Sequence, residues 1–126
     1  MIRPLKTPYV TLWIEDGIIM SVFGNVHVDL KVARHAIEKR MELTQGQVYP
    51  ALADMRAIKD MDREAREYFA TEGVWELSAR AIITGNILTR TIAEVFMMIN
   101  RPPIPTRLFS EYAEAKQWLK LYVDKG

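Results

Sequence analysis

Apolar and polar side chains alternate along residues 9–15, with Val10, Leu12 and Ile14 on one face, as is typical of a β-strand. A second run of β-forming residues covers positions 18–23, and Asp16 and Gly17 separate the two runs. An Asp-Gly pair in this setting is the strongest short-range signal for a β-hairpin. We therefore expect an antiparallel hairpin that follows a loose lead-in over residues 1–8.

Four later segments carry apolar residues at the spacing of a helix that packs on one face of a sheet. The first is predicted to start after Asp29 and to end at Gly46, and the second to cover residues 63–71. The fourth begins after Ser110. Side-chain oxygens of Asp29, Asp62 and Ser110 can accept hydrogen bonds from the first free amides of these three helices.

The third helix is predicted to follow Gly85 and Asn86 and to run as far as Asn100, where Arg101 and two prolines end it. Arg90 and Glu94 lie one turn apart on its polar side. Its expected core stripe consists of Leu88, Ile92, Val95, Phe96 and Ile99.

Three further strands are predicted at residues 48–55, 79–84 and 105–109, each separated from the next by a helix. Such spacing implies right-handed crossovers and parallel pairing. Pro50 cannot donate to a sheet ladder, so we expect it near a sheet edge or at the start of its strand. The predicted order is β-β-α-β-α-β-α-β-α, an α/β fold with a mixed, mostly parallel sheet, and a length of 126 residues suits a single domain over 1–126.

Composition excludes several classes of function. Lys and Arg number 17 against 16 for Asp and Glu, and a formal charge of +1 gives no general attraction to nucleic acid. The chain has no cysteine, which excludes disulfides and thiolate metal sites. No apolar run approaches the roughly 18 residues of a membrane helix, and the opening residues lack the apolar segment of a signal peptide. We expect a cytoplasmic protein without membrane insertion.

No enzyme constellation emerges from the remaining polar residues. His27 and His35 are the only histidines and lie at no metal-ligand spacing, so we expect no metal site. The carboxylates Asp54, Asp60 and Glu64 could act as acids or bases if desolvated, but we expect them to be solvated. Gly85 lies between a strand and a helix without the Gly-Lys-Ser/Thr ending of a phosphate loop, and no Gly-x-Ser-x-Gly motif occurs. The prediction is a non-enzyme without a cofactor.

The spacing of Asp54 and Asp62 resembles a motif of the STAS domain, the fold of bacterial anti-sigma-factor antagonists. In that family a strand ends in Asp, and eight residues later Asp-Ser-Ser-Gly opens a helix whose second Ser is phosphorylated. Here Arg63, Glu64 and Ala65 stand in place of Ser, Ser and Gly. The resemblance implies a STAS-like fold and a bacterial protein-interaction module, whereas the missing hydroxyl argues against a kinase-driven switch.

A narrower group of small bacterial proteins of this fold is similar to the chain in its C-terminal half. The similar segments are residues 89–93, 105–109 and 114–119. These segments carry no assigned chemistry, so the resemblance bears on the fold.

The leading functional prediction is that the loops after the third and fourth predicted strands bind a protein partner or a second copy of the chain. The candidate residues are Asp54, Arg56, Asp62 and Glu64 from one loop and Gly85, Asn86 and Arg90 from the other. The alternative is a carrier of a small apolar ligand, because a related fold class with SEC14-like members holds lipids under a helix. That alternative requires an apolar pocket beneath residues 88–99.

Overall fold

A six-stranded sheet forms the centre of the computed structural model, which describes residues 3–123. Eight strands occur in this range, and the sheet order is β1-β2-β3-β5-β7-β8, while β4 and β6 form a separate parallel pair. The strands are β1 Leu5–Lys6, β2 Val10–Glu15, β3 Ile18–Phe23, β4 His27–Val28, β5 Tyr49–Asp54, β6 Asp60–Met61, β7 Leu77–Ile83 and β8 Thr106–Phe109.

Pairing directions confirm the predicted fold class. Strands β1, β2 and β3 pair antiparallel, and β3, β5, β7 and β8 pair parallel. The turn between β2 and β3 has positive φ at both central residues, 54° at Asp16 and 76° at Gly17. This geometry is that of a type I′ turn, whose twist matches the flanking strands. The result is a mixed α/β fold with an antiparallel N-terminal hairpin.

Helices cover both faces of the sheet. The four α-helices are α1 Leu30–Thr44, α2 Arg63–Ala70, α3 Ile87–Val95 and α4 Tyr112–Leu119, and a π-helical turn over Phe96–Asn100 extends α3. Helices α1, α2 and α3 contribute to one apolar cluster, and α4 contributes Ala115 and Leu119 to another. The central strands are therefore apolar on both faces, as parallel sheets usually are.

One local prediction about the strands is wrong, and another is confirmed in one of its two alternatives. The lead-in is not loose throughout, because Leu5 and Lys6 pair antiparallel with β2. Pro50 is near a strand start, as one alternative held, but β5 lies between β3 and β7 and not at an edge. The pairing of β5 with β7 shifts register between Tyr49 and Pro50, which accommodates a residue without an amide hydrogen.

Helix caps agree only in part with the prediction. Asp29 accepts a hydrogen bond from Val32 N at 2.8 Å, as expected. Asp62 occupies the N-cap position of α2, but its side chain makes no cap bond because its carboxylate contacts His27 Nε2 at 2.7 Å. Ser110 is not a cap, since the helix starts one residue later, with Glu111 at the N-cap position.

The predicted core stripe of the third helix is wrong at its two ends. Ile92 and Phe96 are buried, whereas Leu88 is 46% exposed and Ile99 is 69% exposed. The helix covers the sheet only with its middle turns. Its two ends therefore place apolar side chains in solvent.

Candidate functional site

The carboxyl ends of three parallel strands bring part of the two candidate loops together. Asp54, the last residue of β5, is paired with Ile83, and Ile83 is paired with Phe109 at the end of β8. The chain leaves the sheet after each of these positions. In open α/β sheets, this edge is where crevices form and ligands bind.

Asp54 is the centre of a hydrogen-bonded cluster at this edge. Its Oδ1 accepts from Arg56 N at 3.1 Å and from Arg56 Nε at 3.0 Å. Its Oδ2 accepts from Arg56 Nη2 at 2.8 Å and from the Tyr112 hydroxyl at 2.5 Å. The carboxylate is 5% exposed, so the expectation that it is solvated is wrong. Its position at the end of a buried strand, beneath α4, explains the burial.

The charges of this cluster are fixed at neutral pH. Burial raises the pKa of Asp54, but hydrogen bonds from Arg56 and Tyr112 outweigh it and hold the pKa below its ordinary value. Burial, together with the bond to Asp54, raises the pKa of Tyr112 well above its usual range. The hydrogen bond to Asp54 also raises the pKa of Arg56. Asp54 thus stays ionised and serves to orient the guanidinium, with no proton to exchange.

Arg56 presents a pre-oriented positive charge at the surface. Its side chain is 47% exposed, and its guanidinium lies over the Tyr112 ring at 5.1 Å from the centroid. Its aliphatic stem lies against Gly85, where a Cβ would meet Arg56 Cγ at 2.9 Å. Glycine at this position therefore leaves the space that the arginine stem occupies.

Asn86 starts α3 beside this cluster. Its Oδ1 accepts from Thr89 N at 2.8 Å, and Thr89 Oγ1 accepts from Asn86 N at 3.2 Å, so the two residues form a capping box. The next residue, Ile87, is 85% exposed. Arg90 pairs with Glu94 at 3.5 Å on the exposed side of the helix, where solvent weakens the interaction.

The remaining candidates lie apart from Asp54. Asp62 contacts His27, and Glu64 is exposed in the first turn of α2. In the part of the chain that the structure describes, neither residue forms a hydrogen bond or ion pair with Asp54 or Arg56. The structure thus joins Asp54, Arg56 and Gly85 directly, with Asn86 next to them.

For three residues of functional interest, no functional role was predicted from the sequence. Tyr112 was not among the predicted site residues. Arg40 lies on the apolar stripe of α1, four positions from Ala36, and Arg80 lies within the apolar strand β7. A charged residue at a position that the surrounding pattern assigns to the core was the available signal for both arginines.

A cavity of about 50 Å³ lies between the sheet and helices α1, α2 and α3, and both missed arginines line it. Most of its lining is apolar, including Ile92, Ala93 and Phe96 from the third helix and its π-helical turn. The cavity therefore lies beneath the helix where the carrier hypothesis requires an apolar pocket.

Both arginines are almost completely removed from solvent. Arg40 is 3% exposed and Arg80 is 5% exposed. Burial lowers the pKa of Arg40 to about 10, and burial together with repulsion from Arg40 lowers that of Arg80 to about 9. Both remain charged at neutral pH. The desolvation free energy of such a buried ion is roughly several kcal/mol, unless hydrogen-bond partners replace the lost water.

Their hydrogen-bond partners are backbone carbonyls in the last turn of α2 and in the connection from α2 to β7. Arg40 donates to the oxygens of Gly73 and Trp75 at 2.9 and 2.5 Å. Arg80 donates to the oxygens of Phe69 and Gly73 at 3.0 and 2.7 Å. Both cations therefore share one carbonyl, that of Gly73, and lie close together.

Neither a metal-binding cluster nor a membrane-spanning helix occurs within residues 3–123. In this range, no group of three or more His, Asp and Glu side chains is placed to hold a metal ion. Over the same described residues, no helix combines the length and the apolar character that crossing a membrane requires.

The fold has a solved counterpart. The chain is similar to the crystal structure of an uncharacterised protein of the DUF3478 family with a SpoIIAA-like fold, from Shewanella loihica PV-4. The TM-score is 0.58 at 14% sequence identity, and the match covers 94% of this chain and 92% of that chain. At this identity the likeness shows the fold alone. The molecule is thus an α/β protein with a SpoIIAA-like, or STAS-like, fold.

A protein-family model also matches most of the chain. DUF7793, a domain of unknown function, matches residues 12–123. The chain belongs to this family. A comparison with curated proteins finds no match.

Proposed function

We propose that the chain is a non-enzymatic, STAS-like interaction module of the cytoplasm that docks a protein partner on the surface around Arg56. The observation that carries this proposal is the half-exposed guanidinium of Arg56, which Asp54 and Tyr112 hold in one orientation. A side chain that is ordered before binding loses little conformational entropy when a partner docks. Arg and Tyr are also among the residues most often found at the energetic centres of interfaces.

The surroundings of Arg56 support a protein partner. Ile87 and Leu88, at the start of α3, are 85% and 46% exposed, close to Gly85 and the arginine stem. A fixed positive charge beside exposed apolar side chains suits a partner surface that pairs an acidic group with an apolar one.

The same cluster argues against an enzyme. Asp54 is the buried carboxylate of the site, and its oxygens are occupied by bonds from Arg56 and Tyr112. A base must be free to accept a proton from a substrate. In the comparison with the STAS motif, Glu64 replaces the phosphorylated Ser, so we infer that the module acts without a kinase-driven switch.

Charge reversal tests the proposal. We expect Arg56→Glu to abolish a complex that the wild-type protein forms with a partner or with itself, with an unchanged circular dichroism spectrum. Lys31→Glu, on the exposed side of α1, is the matched control and should keep the complex. Light scattering after size-exclusion chromatography reports self-association, and quantitative pull-down from the source cells reports partners. A wild-type monomer without partners, or a complex indifferent to Arg56→Glu, contradicts the proposal.

The second candidate function is a carrier of a small apolar ligand, and the cavity beneath α3 favours it. Its lining is mainly apolar and comes from the sheet and from helices α1, α2 and α3. SEC14-like members of a related fold class hold their lipids in a comparable place. Both functions can belong to one protein, because the cavity and the Arg56 surface are formed by different side chains.

Native mass spectrometry of the purified protein tests the carrier function. We expect an additional mass that denaturation releases. Ala93 is 1% exposed and lines the cavity, so Ala93→Leu should fill the space and remove the additional mass. Ala113→Leu, on the exposed side of α4, is the control and should leave the mass unchanged. Absence of any bound mass in the wild-type protein, together with no binding of added apolar compounds, contradicts the carrier function.

A further inference from the structure

Two positive charges line the cavity without a carboxylate bound to either. Within residues 3–123, Arg40 and Arg80 hydrogen-bond only to backbone carbonyls, and neither forms an ion pair. Glu76 makes no hydrogen bond to Arg40, and its negative charge only raises the pKa of Arg40 from a distance. The net charge of this buried region is therefore positive, which is unfavourable unless an anion compensates it.

Each guanidinium retains unused donors. A guanidinium has five N–H groups, and two hydrogen bonds to the described residues are found for each of these arginines. Three N–H groups of each remain for another acceptor. A planar carboxylate fits this fork geometry because its two oxygens can accept two parallel N–H bonds.

The two positive charges lie close together in the lining of the cavity. Both arginines bond to the same carbonyl, Gly73 O, at 2.9 and 2.7 Å, so their head groups are neighbours. Arg80 also lies near two aromatic rings, 6.0 Å from the Phe69 centroid and 5.8 Å from the Phe96 centroid. The rest of the lining is largely apolar. The lining thus combines one cationic patch with a larger apolar part.

We propose that this cavity binds a small monocarboxylate with a short hydrocarbon tail, its carboxylate at Arg40 and Arg80 and its tail beneath α3. This inference rests on the carrier function and specifies the class of ligand. A volume of about 50 Å³ limits the tail to a few carbon atoms.

The helix over the cavity ends in an irregular turn that contributes to the lining. Phe96 lines the cavity and opens the π-helical turn, in which Arg101 N bonds to Phe96 O at 3.2 Å. Turns of this kind inside helices occur mostly at functional sites. The end of α3 is accordingly the segment expected to shift when a longer tail is accommodated.

Paired ligands of equal chain length test the proposal on the wild-type protein. Calorimetric titration and thermal shift are measured with butyrate, hexanoate and octanoate, with the matching primary alcohols, and with inorganic phosphate. We expect at least one carboxylate to bind at least tenfold more tightly than its alcohol. Phosphate, which has no tail, should bind more weakly than the best carboxylate.

Substitution of the buried arginines locates the binding. Arg80→Met keeps much of the side-chain volume and should remove the preference for carboxylate over alcohol. Arg63→Met, in an exposed position on α2, is the matched control and should leave the preference intact. If Arg80→Met does not fold, the comparison of acids with alcohols on the wild-type protein still decides the matter.

Each remaining outcome has a distinct meaning. Equal binding of acids and alcohols overturns the inference about carboxylates but leaves the carrier function standing. Binding of phosphate as tight as that of the best carboxylate means that the site selects a free anion, and it overturns the proposal of an acid with a tail. No binding of any compound, with no co-purified mass, overturns both.

Discussion

The Tyr112 hydroxyl donates to Asp54 Oδ2 at 2.5 Å, although the two residues are 58 positions apart in the chain. This bond joins the start of α4 to the end of β5. It completes the set of donors around a buried carboxylate and places the Tyr112 ring against the Arg56 guanidinium. The orientation of Arg56 thus depends on the tertiary fold.

Removing this hydroxyl should destabilise the protein without altering the fold. We expect Tyr112→Phe to lower the free energy of unfolding by about 1.5 kcal/mol, because a hydrogen bond to a charged, buried acceptor is lost. Urea denaturation followed by circular dichroism measures the change. Tyr49→Phe is the control, since its hydroxyl bonds to Gln47 in an exposed position and should cost less than about 0.5 kcal/mol. Equal losses in the two variants would refute the special role of Tyr112.

The contribution of the Asp54 carboxylate should depend on pH. Its pKa in the folded protein is below the ordinary value of 3.8, so the folded state binds fewer protons than the unfolded state when the pH approaches that value. The stabilisation is therefore complete above about pH 4 and is lost as the pH falls through the folded pKa. We expect Asp54→Asn to cost about 2 kcal/mol at pH 7, and less at pH 3.

Parallel denaturation curves of the wild-type protein and Asp54→Asn at pH 7, 5, 4 and 3 measure this dependence. Asp60→Asn, which alters an exposed carboxylate on β6, serves as a control with a smaller effect. If the difference in the free energy of unfolding between the wild-type protein and Asp54→Asn stays constant down to pH 3, ionisation of Asp54 is not the cause of the stabilisation.

Gly85 should be coupled energetically to Arg56. A Cβ on residue 85 would lie 2.9 Å from Arg56 Cγ and 3.2 Å from its Cδ, so the arginine stem must move. We expect Gly85→Ala to cost about 1 kcal/mol, because displacement distorts the bonds to Asp54. Since Arg56→Ala removes the two stem atoms, the cost of Gly85→Ala should fall by at least half in that background.

A double-mutant cycle by urea denaturation measures this coupling. Gly24→Ala is the control, because a Cβ there would be 3.7 Å from Tyr9 O, an ordinary contact. Strictly additive effects of Gly85→Ala and Arg56→Ala would mean that the glycine is required for another reason.

The two predicted helix starts should differ in their sensitivity to alanine. Asn86→Ala removes a side-chain bond to Thr89 N and should cost about 1 kcal/mol. Asp62→Ala removes no cap bond and only an exposed contact with His27, so a loss below about 0.5 kcal/mol is expected. Thermal unfolding of both variants gives the comparison. A loss at Asp62 as large as that at Asn86 would show that the Asp62 side chain caps α2 in solution.

The order of helices and strands was determined largely by local sequence. The Asp16-Gly17 turn, the alternation in β2 and the apolar spacing of α1 each depend on neighbours in the chain. The predicted order of parallel strands followed because a strand-helix-strand unit leaves few alternatives. Local signals also placed Asp54, Arg56 and Gly85 near the ends of strands, where the structure has them.

Tertiary structure alone decided which of these residues meet and which are buried. No local pattern shows that Tyr112 would reach Asp54, or that Asp62 would contact His27 in place of the amides of α2. Likewise, Arg40 and Arg80 share the Gly73 carbonyl because the connection from α2 to β7 packs against both side chains. These contacts join positions far apart in sequence, and burial and hydrogen bonding depend on which elements pack together.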